Sequence, residues 1–168
     1  MHKMTEENVS AALAGESQAQ IRYLNFAAQA EKEGKPNVAR LFAAAAFSEQ
    51  MHASAHLRTL GGVAGTGDNL AAAGGGESFE VEEMYPAYIA VAEAQKEPDA
   101  KQSFHRAMDA ERRSITGSTS APSRRWTAAR TCKITETWVC GCCGYTMEGT
   151  APHKCPICGA TKDMFKKL

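Results

Sequence analysis

The sequence has no surplus of charge of either sign: 19 Lys and Arg meet 19 Asp and Glu, for a formal net charge of zero. Nothing electrostatic in the whole chain argues for nucleic acid or an anionic membrane as partner, which leaves small molecules and protein. Long apolar runs are missing too. No stretch approaches the roughly 18 residues that a membrane span needs, and the N-terminus MHKMTEENVSAALAGES lacks the apolar segment of an export signal. The expectation is a soluble, cytoplasmic protein. Cysteine is absent before Cys132, and five of the six cysteines lie between 140 and 158, in paired spacings rather than scattered as a disulfide framework. That pattern points to a thiolate-bound metal in a reducing compartment.

What is present is helical periodicity. Over residues 5–33, Val9, Leu13, Tyr23, Ala27 and Ala30 share one face, and Gly34 supplies a stop. Pro36 suits the first turn of a second helix with Val38, Phe42 and Ala45 on its stripe, ending at LGG, residues 60–62. The two predict an antiparallel hairpin. Residues 61–78, GGVAGTGDNLAAAGGGES, are too long for a tight turn and predict a crossover along a bundle, mobile at Gly74–Gly76. A third helix is expected from about Phe79 to Gln95, bent by Pro86. A fourth starts at Pro98 and Asp99, with Ala100, Phe104, Ala107 and Met108 inward. From residue 139 the composition shifts to Cys, Gly, Pro and Lys, a separate small module.

Several carboxylates fall where apolar residues belong. Glu16 interrupts the first stripe, with the polar Gln20 one turn on; Glu49 and His52 continue the second; Glu80 and Glu83 share a face with Ala87; Glu111 follows Phe104 and Ala107. Any one of these is an ordinary helical glutamate. Together they place carboxylates inward on four helices, and burying five unpaired carboxylates is prohibitive without cations. Glu-x-x-His at 49–52 puts both side chains on one face, one turn apart, a unit from which di-iron or di-manganese carboxylate sites are built. Hard oxygens with one or two imidazoles suit iron or manganese better than copper. His56 reads as a packed histidine, and Tyr23 and Tyr85 either pack or hydrogen-bond the ligands.

The module VCGCCGYTMEGTAPHKCPICGA holds Cys140-x-x-Cys143-Gly and Cys155-Pro-x-Cys158-Gly, two facing knuckles for a tetrahedral tetrathiolate site. The spacing leaves the metal open between structural zinc and redox iron. Cys142 and Cys132 read as free thiols.

With these residues in hand the chain is similar to the rubrerythrin family, in AGESQAQIRYLNFA around Glu16, SEQMHA around Glu49 and His52, GESFEVEEMYP around Glu80 and Glu83, and both knuckles. The resemblance covers residues 5–111 and 134–168. It implies a mainly α fold, a ferritin-like four-helix bundle over residues 1–115 with a small rubredoxin-like module over 135–168, joined through 116–134. Its implied ligands for two non-haem irons are Glu16, Glu49, His52, Glu80, Glu83 and Glu111, and for one further iron Cys140, Cys143, Cys155 and Cys158. It implies a peroxidase that reduces hydrogen peroxide to water, protecting the cell from oxidative stress. Electrons would be relayed through the tetrathiolate iron from a redox donor protein of the rubredoxin or rubredoxin-reductase type. A homodimer is implied, with one subunit's cysteine module near the other's di-iron site. Two rivals stand beside this: a ferritin-like iron-oxidising or iron-storing protein, and a non-catalytic protein with a structural zinc ribbon.

One segment departs from the family pattern, which requires a histidine three residues after Glu111 and further helical turns. Ser114 stands there, and the helix is expected to stop. Residues 112–132 contain five Arg, eight Ser or Thr and no Asp or Glu, a composition that a flexible linker permits. The sharper reading is a shifted frame. Back-translated with permitted codons and moved by two bases, residues 114–131 read I-H-H-G-L-Y-K-R-A-L-K-A-V-D-G-G-K-D, an amphipathic helix that restores histidine at or beside position 114. In the chain as written, one iron is expected to be held weakly.

Overall fold

The computed structural model describes residues 1–116 and 136–168, with side chains given up to Arg113 and again from Glu136. The chain divides into two compact units, Met1–Ala64 and Gly65–Leu168. The division falls between the second and third helices.

The first unit is a helical hairpin of α1 (Lys3–Lys32) and α2 (Pro36–Thr59). Gly34, at φ +69°, ends α1 in the left-handed region, and Pro36 opens α2 where a missing N–H costs nothing. The residues buried in the hairpin are all alanines: Ala30 on α1, and Ala39, Ala46 and Ala53 at heptad spacing on α2. Small side chains there let two helices lie close together. The α2 stripe expected through Val38 and Ala45 is thus turned by one residue, with Val38 41% exposed. An aromatic group of Tyr23, Phe26 and Phe42, with ring centroids 5.4–6.2 Å apart, pins the loop end of the hairpin. Tyr23 belongs to this packing.

The second unit begins with α3 (Thr66–Phe79), where the sequence predicts a crossover with a mobile Gly run. The correction has a local cause. Leu70 to Ala73 are strong helix formers, and each of the three following glycines costs only about 1 kcal/mol against alanine in a helix. The helix continues without a break through a π segment (Glu80–Met84) into α4 (Tyr85–Ala94). Pro86 explains the π turn, because it has no N–H for the carbonyl four residues back and its ring crowds that carbonyl. The Tyr85 amide accordingly bonds the Glu80 carbonyl, five residues back. So Pro86 is absorbed as a wider turn.

After a turn at Lys96 (φ +60°), α5 (Pro98–Thr116) packs antiparallel on α4, with Phe104 against Tyr85 and Tyr88 at 6.3 and 5.6 Å between ring centroids. Met108 and Ala110 are its buried residues. The helix, expected to stop at Ser114, ends at Thr116. Apart from Thr116, the expected linker at 116–134, its frame-shifted reading and Cys132 lie outside the described residues.

The last element is an antiparallel sheet of β1 (Thr137–Cys140), β2 (Thr146–Glu148) and β3 (Phe165–Lys167), in the order β2-β1-β3. Trp138 pairs with Met147 on one side and Lys167 on the other. Its small core is Cys140, Ala151, Cys155 and Phe165, edged by Trp138, Tyr145 and Ile157. Within this unit β2 lies against α5. No helix among the described residues is long and apolar enough to cross a membrane.

Candidate metal centres

The two knuckles are near copies of each other. In the first, the Gly144 amide bonds the Cys140 carbonyl at 2.9 Å; in the second, Gly159 bonds Cys155 at 3.0 Å. Both glycines sit at φ near +76° (77° and 75°), where a side chain would be strained, so Cys-x-x-Cys must be followed by glycine to turn the chain back. The turns bring Cys140, Cys143, Cys155 and Cys158 together with all four sulfurs within 4.8 Å. Cys140 Sγ lies 3.7 Å from Cys158 Sγ, and Cys143 Sγ 3.6 Å from Cys155 Sγ. A disulfide would need about 2.05 Å. A tetrahedron with metal–sulfur bonds of about 2.3 Å has edges of about 3.75 Å, so the cage has the size of a tetrathiolate metal site. Burial pushes the Cys143 thiol well above its ordinary range, as expected for a thiolate lacking a cation. For Cys158 burial also pushes upward, but the Ala160 amide and the neighbouring thiols outweigh it and hold that thiol low. Cys142 is exposed beside the cage.

The helical ligands fall into two triplets, each within one unit. In the first hairpin, Glu16, Glu49 and His52 offer ligand atoms within 4.8 Å of one another. His52 Nδ1 is 3.4 Å from Glu49 Oε2 and 4.0 Å from Glu16 Oε1. Glu16 and Glu49 lie in the seam of the alanines. The Glu49 side chain is mostly covered while the His52 ring is half exposed. A hydrogen bond shared with Glu49 raises the Glu16 carboxyl and lowers Glu49, as for two carboxylates that titrate as a pair. His56 is half-buried one turn on and outside the triplet.

In the second unit the triplet is Glu77, Glu80 and Glu111. Glu80 and Glu111 are brought together as the sequence suggests, whereas Glu83 lies outside this group, and Glu77, which the stripe of inward carboxylates does not include, lies within it. The π segment is the reason. Each residue turns a regular helix by about 100°, so one extra residue in the turn from Glu80 to Met84 rotates the later residues off the face that Glu77 and Glu80 share. Glu77 stands three residues before Glu80, a detectable spacing once the Gly run is read as helix. Its Oε2 is buried without a hydrogen-bond partner. Burial first, then a hydrogen bond and charge from Glu77 and charge from Glu80, push the Glu111 carboxyl up to about 8. The Tyr85 hydroxyl is raised as well, by burial and then by the charges of Glu80, Glu111 and Glu77, and it hydrogen-bonds Glu80. An orphaned buried oxygen among crowded carboxylates is a donor set that fits a hard cation such as iron.

Comparison with known proteins covers both kinds of centre. Residues 7–113 match the rubrerythrin family and residues 138–166 the rubrerythrin rubredoxin-like domain. Rubrerythrin-2 of Clostridium acetobutylicum is 35% identical over 177 residues, covering 97% of this chain and 96% of its own length. Rubrerythrin of Nitratidesulfovibrio vulgaris is 33% identical over 189 residues, covering 98% and 94%. A solved structure of nigerythrin in a mixed-valence state has a TM-score of 0.53 at 32% identity, over 98% of this chain and 86% of that one. Two carboxylate triplets on helices, a tetrathiolate cage beyond them and these matches along almost the whole length place the chain in the rubrerythrin family, iron-binding di-iron proteins of oxidative-stress defence with a ferritin-like domain and a rubredoxin-like one.

Proposed function

We propose that the protein is a peroxidase that reduces hydrogen peroxide to water at a pair of irons, drawing electrons through an iron held by Cys140, Cys143, Cys155 and Cys158. The observation that carries this reading is the presence of a tetrathiolate cage and two acidic triplets in one chain. A storage protein has no need of an electron relay. Reduction of one peroxide takes two electrons and two protons and yields two waters; a di-iron pair supplies both electrons in one encounter without releasing a radical. Glu16, Glu49 and His52 of the first unit, and Glu77, Glu80 and Glu111 of the second, would be the iron ligands. Tyr85 keeps its proton and donates a hydrogen bond to Glu80, which would hold that carboxylate in place for the iron. The cage accepts electrons one at a time from a donor protein of the rubredoxin or rubredoxin-reductase type. The setting is cytoplasmic and the working form at least a homodimer.

The test is to load the chain with ferrous iron without air, reduce it and mix it with hydrogen peroxide. Peroxide should disappear as the carboxylate-bound iron reoxidises. Cys155→Ser should leave that first event and abolish sustained turnover from an external donor. Peroxide loss no faster than in Glu80→Ala/Glu111→Ala, or zinc in the cage of protein made with iron supplied, would overturn the reading.

A further inference from the structure

We propose that the Cys142 thiol donates a hydrogen bond to the Cys158 sulfur of the cage and so raises the reduction potential of the iron held there. This rests on the iron-relay reading of the cage and names a positioning residue, not itself a ligand, that sets how readily the relay takes up its electron.

Each knuckle has two residues between its cysteines, Gly141 and Cys142 in the first, Pro156 and Ile157 in the second. The positions just before Cys143 and Cys158 correspond, so one knuckle carries a thiol where its near copy carries an apolar side chain. The tip of the first knuckle is pinned to the chain that leaves the second. The Gly141 amide donates to the Met164 carbonyl at 2.8 Å, and Cys140 pairs with Phe165. A Cβ at position 141 would stand 3.0 Å from that same carbonyl oxygen, so the close approach suits glycine. Cys142 follows directly, exposed on its outer side, and its sulfur hydrogen-bonds Cys158, a partly exposed corner of the cage.

The direction of that bond is fixed by chemistry. With a metal in the cage Cys158 is a thiolate, which has lone pairs but no proton to give, so the hydrogen comes from Cys142. Backbone donors are matched between the knuckles: Cys158 accepts the Ala160 amide, and Cys143 accepts the Tyr145 amide. The thiol is therefore an additional donor that only the Cys158 corner receives from a knuckle side chain. Ferric iron with four thiolates carries one net negative charge, ferrous iron two. A donor at a sulfur thus stabilises the reduced form more than the oxidised one. The step affected is uptake of one electron from the donor protein; no bond to iron forms or breaks, and the proton stays on Cys142.

The test is a redox titration of the full iron-loaded chain, followed by the visible absorption of the cage. At a fixed potential, Cys142→Ala should hold about threefold less reduced relative to oxidised iron than the parent, a downward shift of about 30 mV at about 59 mV per tenfold for one electron. Cys142→Ile, which copies the second knuckle, should fall as far, whereas Cys142→Ser keeps a donor and should stay near the parent. A midpoint unchanged in Cys142→Ala, or lowered equally in Cys142→Ser, overturns the proposal. Infrared difference spectra of parent against Cys142→Ala read the bond whichever metal fills the cage. The S–H stretch lost in the variant should lie lower in frequency than that of glutathione in water, and a band at the glutathione position overturns the proposal. A cage that refuses iron, with the band lowered, supports the hydrogen bond and sinks the iron-relay reading.

Discussion

Half-buried between Glu77 and Glu80, the Glu111 carboxyl keeps its proton to about pH 8. Its unfolded value is near 4.5, so in metal-free protein it contributes stability that is complete below about 4.5 and lost as pH rises through about 8. Melting temperatures of the metal-free chain should therefore fall between about pH 5 and about pH 8, and fall less in Glu111→Gln. Equal slopes for the two proteins would remove Glu111 from the account. Iron should reverse the trend, since a bound cation displaces the proton. The same geometry separates neighbouring glutamates. Glu77→Ala and Glu80→Ala should each lower carboxylate-bound iron by tenfold or more, on the order of the 1.4 kcal/mol that a factor of ten represents, whereas Glu83→Ala should leave it unchanged. Metal analysis after desalting reads both, and equal losses at positions 77, 80 and 83 would sink the assignment. Ser114→His, restoring the imidazole that the family pattern requires, should raise iron retention in the same assay.

At the scale of elements, the long helix from Thr66 to Ala94 carries a cost that can be removed. Gly75 is exposed, has an ordinary helical backbone, and an added Cβ would meet nothing within 4 Å. Gly75→Ala should stabilise the chain by about 0.5–1 kcal/mol, seen as a higher denaturation midpoint. No gain would mean that α3 does not hold this conformation in solution. This helix is also where reading the sequence reached its limit. The knuckles were legible because a metal cage written as Cys-x-x-Cys-Gly is local, needing only one turn of chain to be correct. Glu16, Glu49 and His52 were legible because α1 and α2 keep a regular period, so a polar residue in the stripe stands out. Glu77 was not. Three glycines before it look like a loop, and the π turn after it breaks the period that groups Glu83 with Ala87. Both obstacles arise from the cooperative continuity of a long helix, which no window of a few residues contains.

At the scale of the whole molecule, the metal centres are built differently and should be separable. The cage is made within one short sheet module, where Gly141 donates to the Met164 carbonyl at 2.8 Å and Leu168 to Thr137 at 2.9 Å, tying both ends together. The carboxylate triplets are each carried by helices, outside the sheet module. Cys158→Ser should thus abolish the visible colour of the tetrathiolate iron while sparing carboxylate-bound iron, and a chain lacking both would contradict independent assembly.

The alanine seam has a further consequence. Ala39, Ala46 and Ala53 act as a spacer gauge: with no side chain beyond Cβ they fix how near α2 comes to α1, and so the gap between the Glu16 and Glu49 oxygens that face each other across it. The ruler that sets metal geometry is therefore written in residues that never touch a metal. Ala46 is buried in that seam, so Ala46→Val changes no ligand, yet it should push α2 off α1 and lower carboxylate-bound iron, which metal analysis after desalting would show.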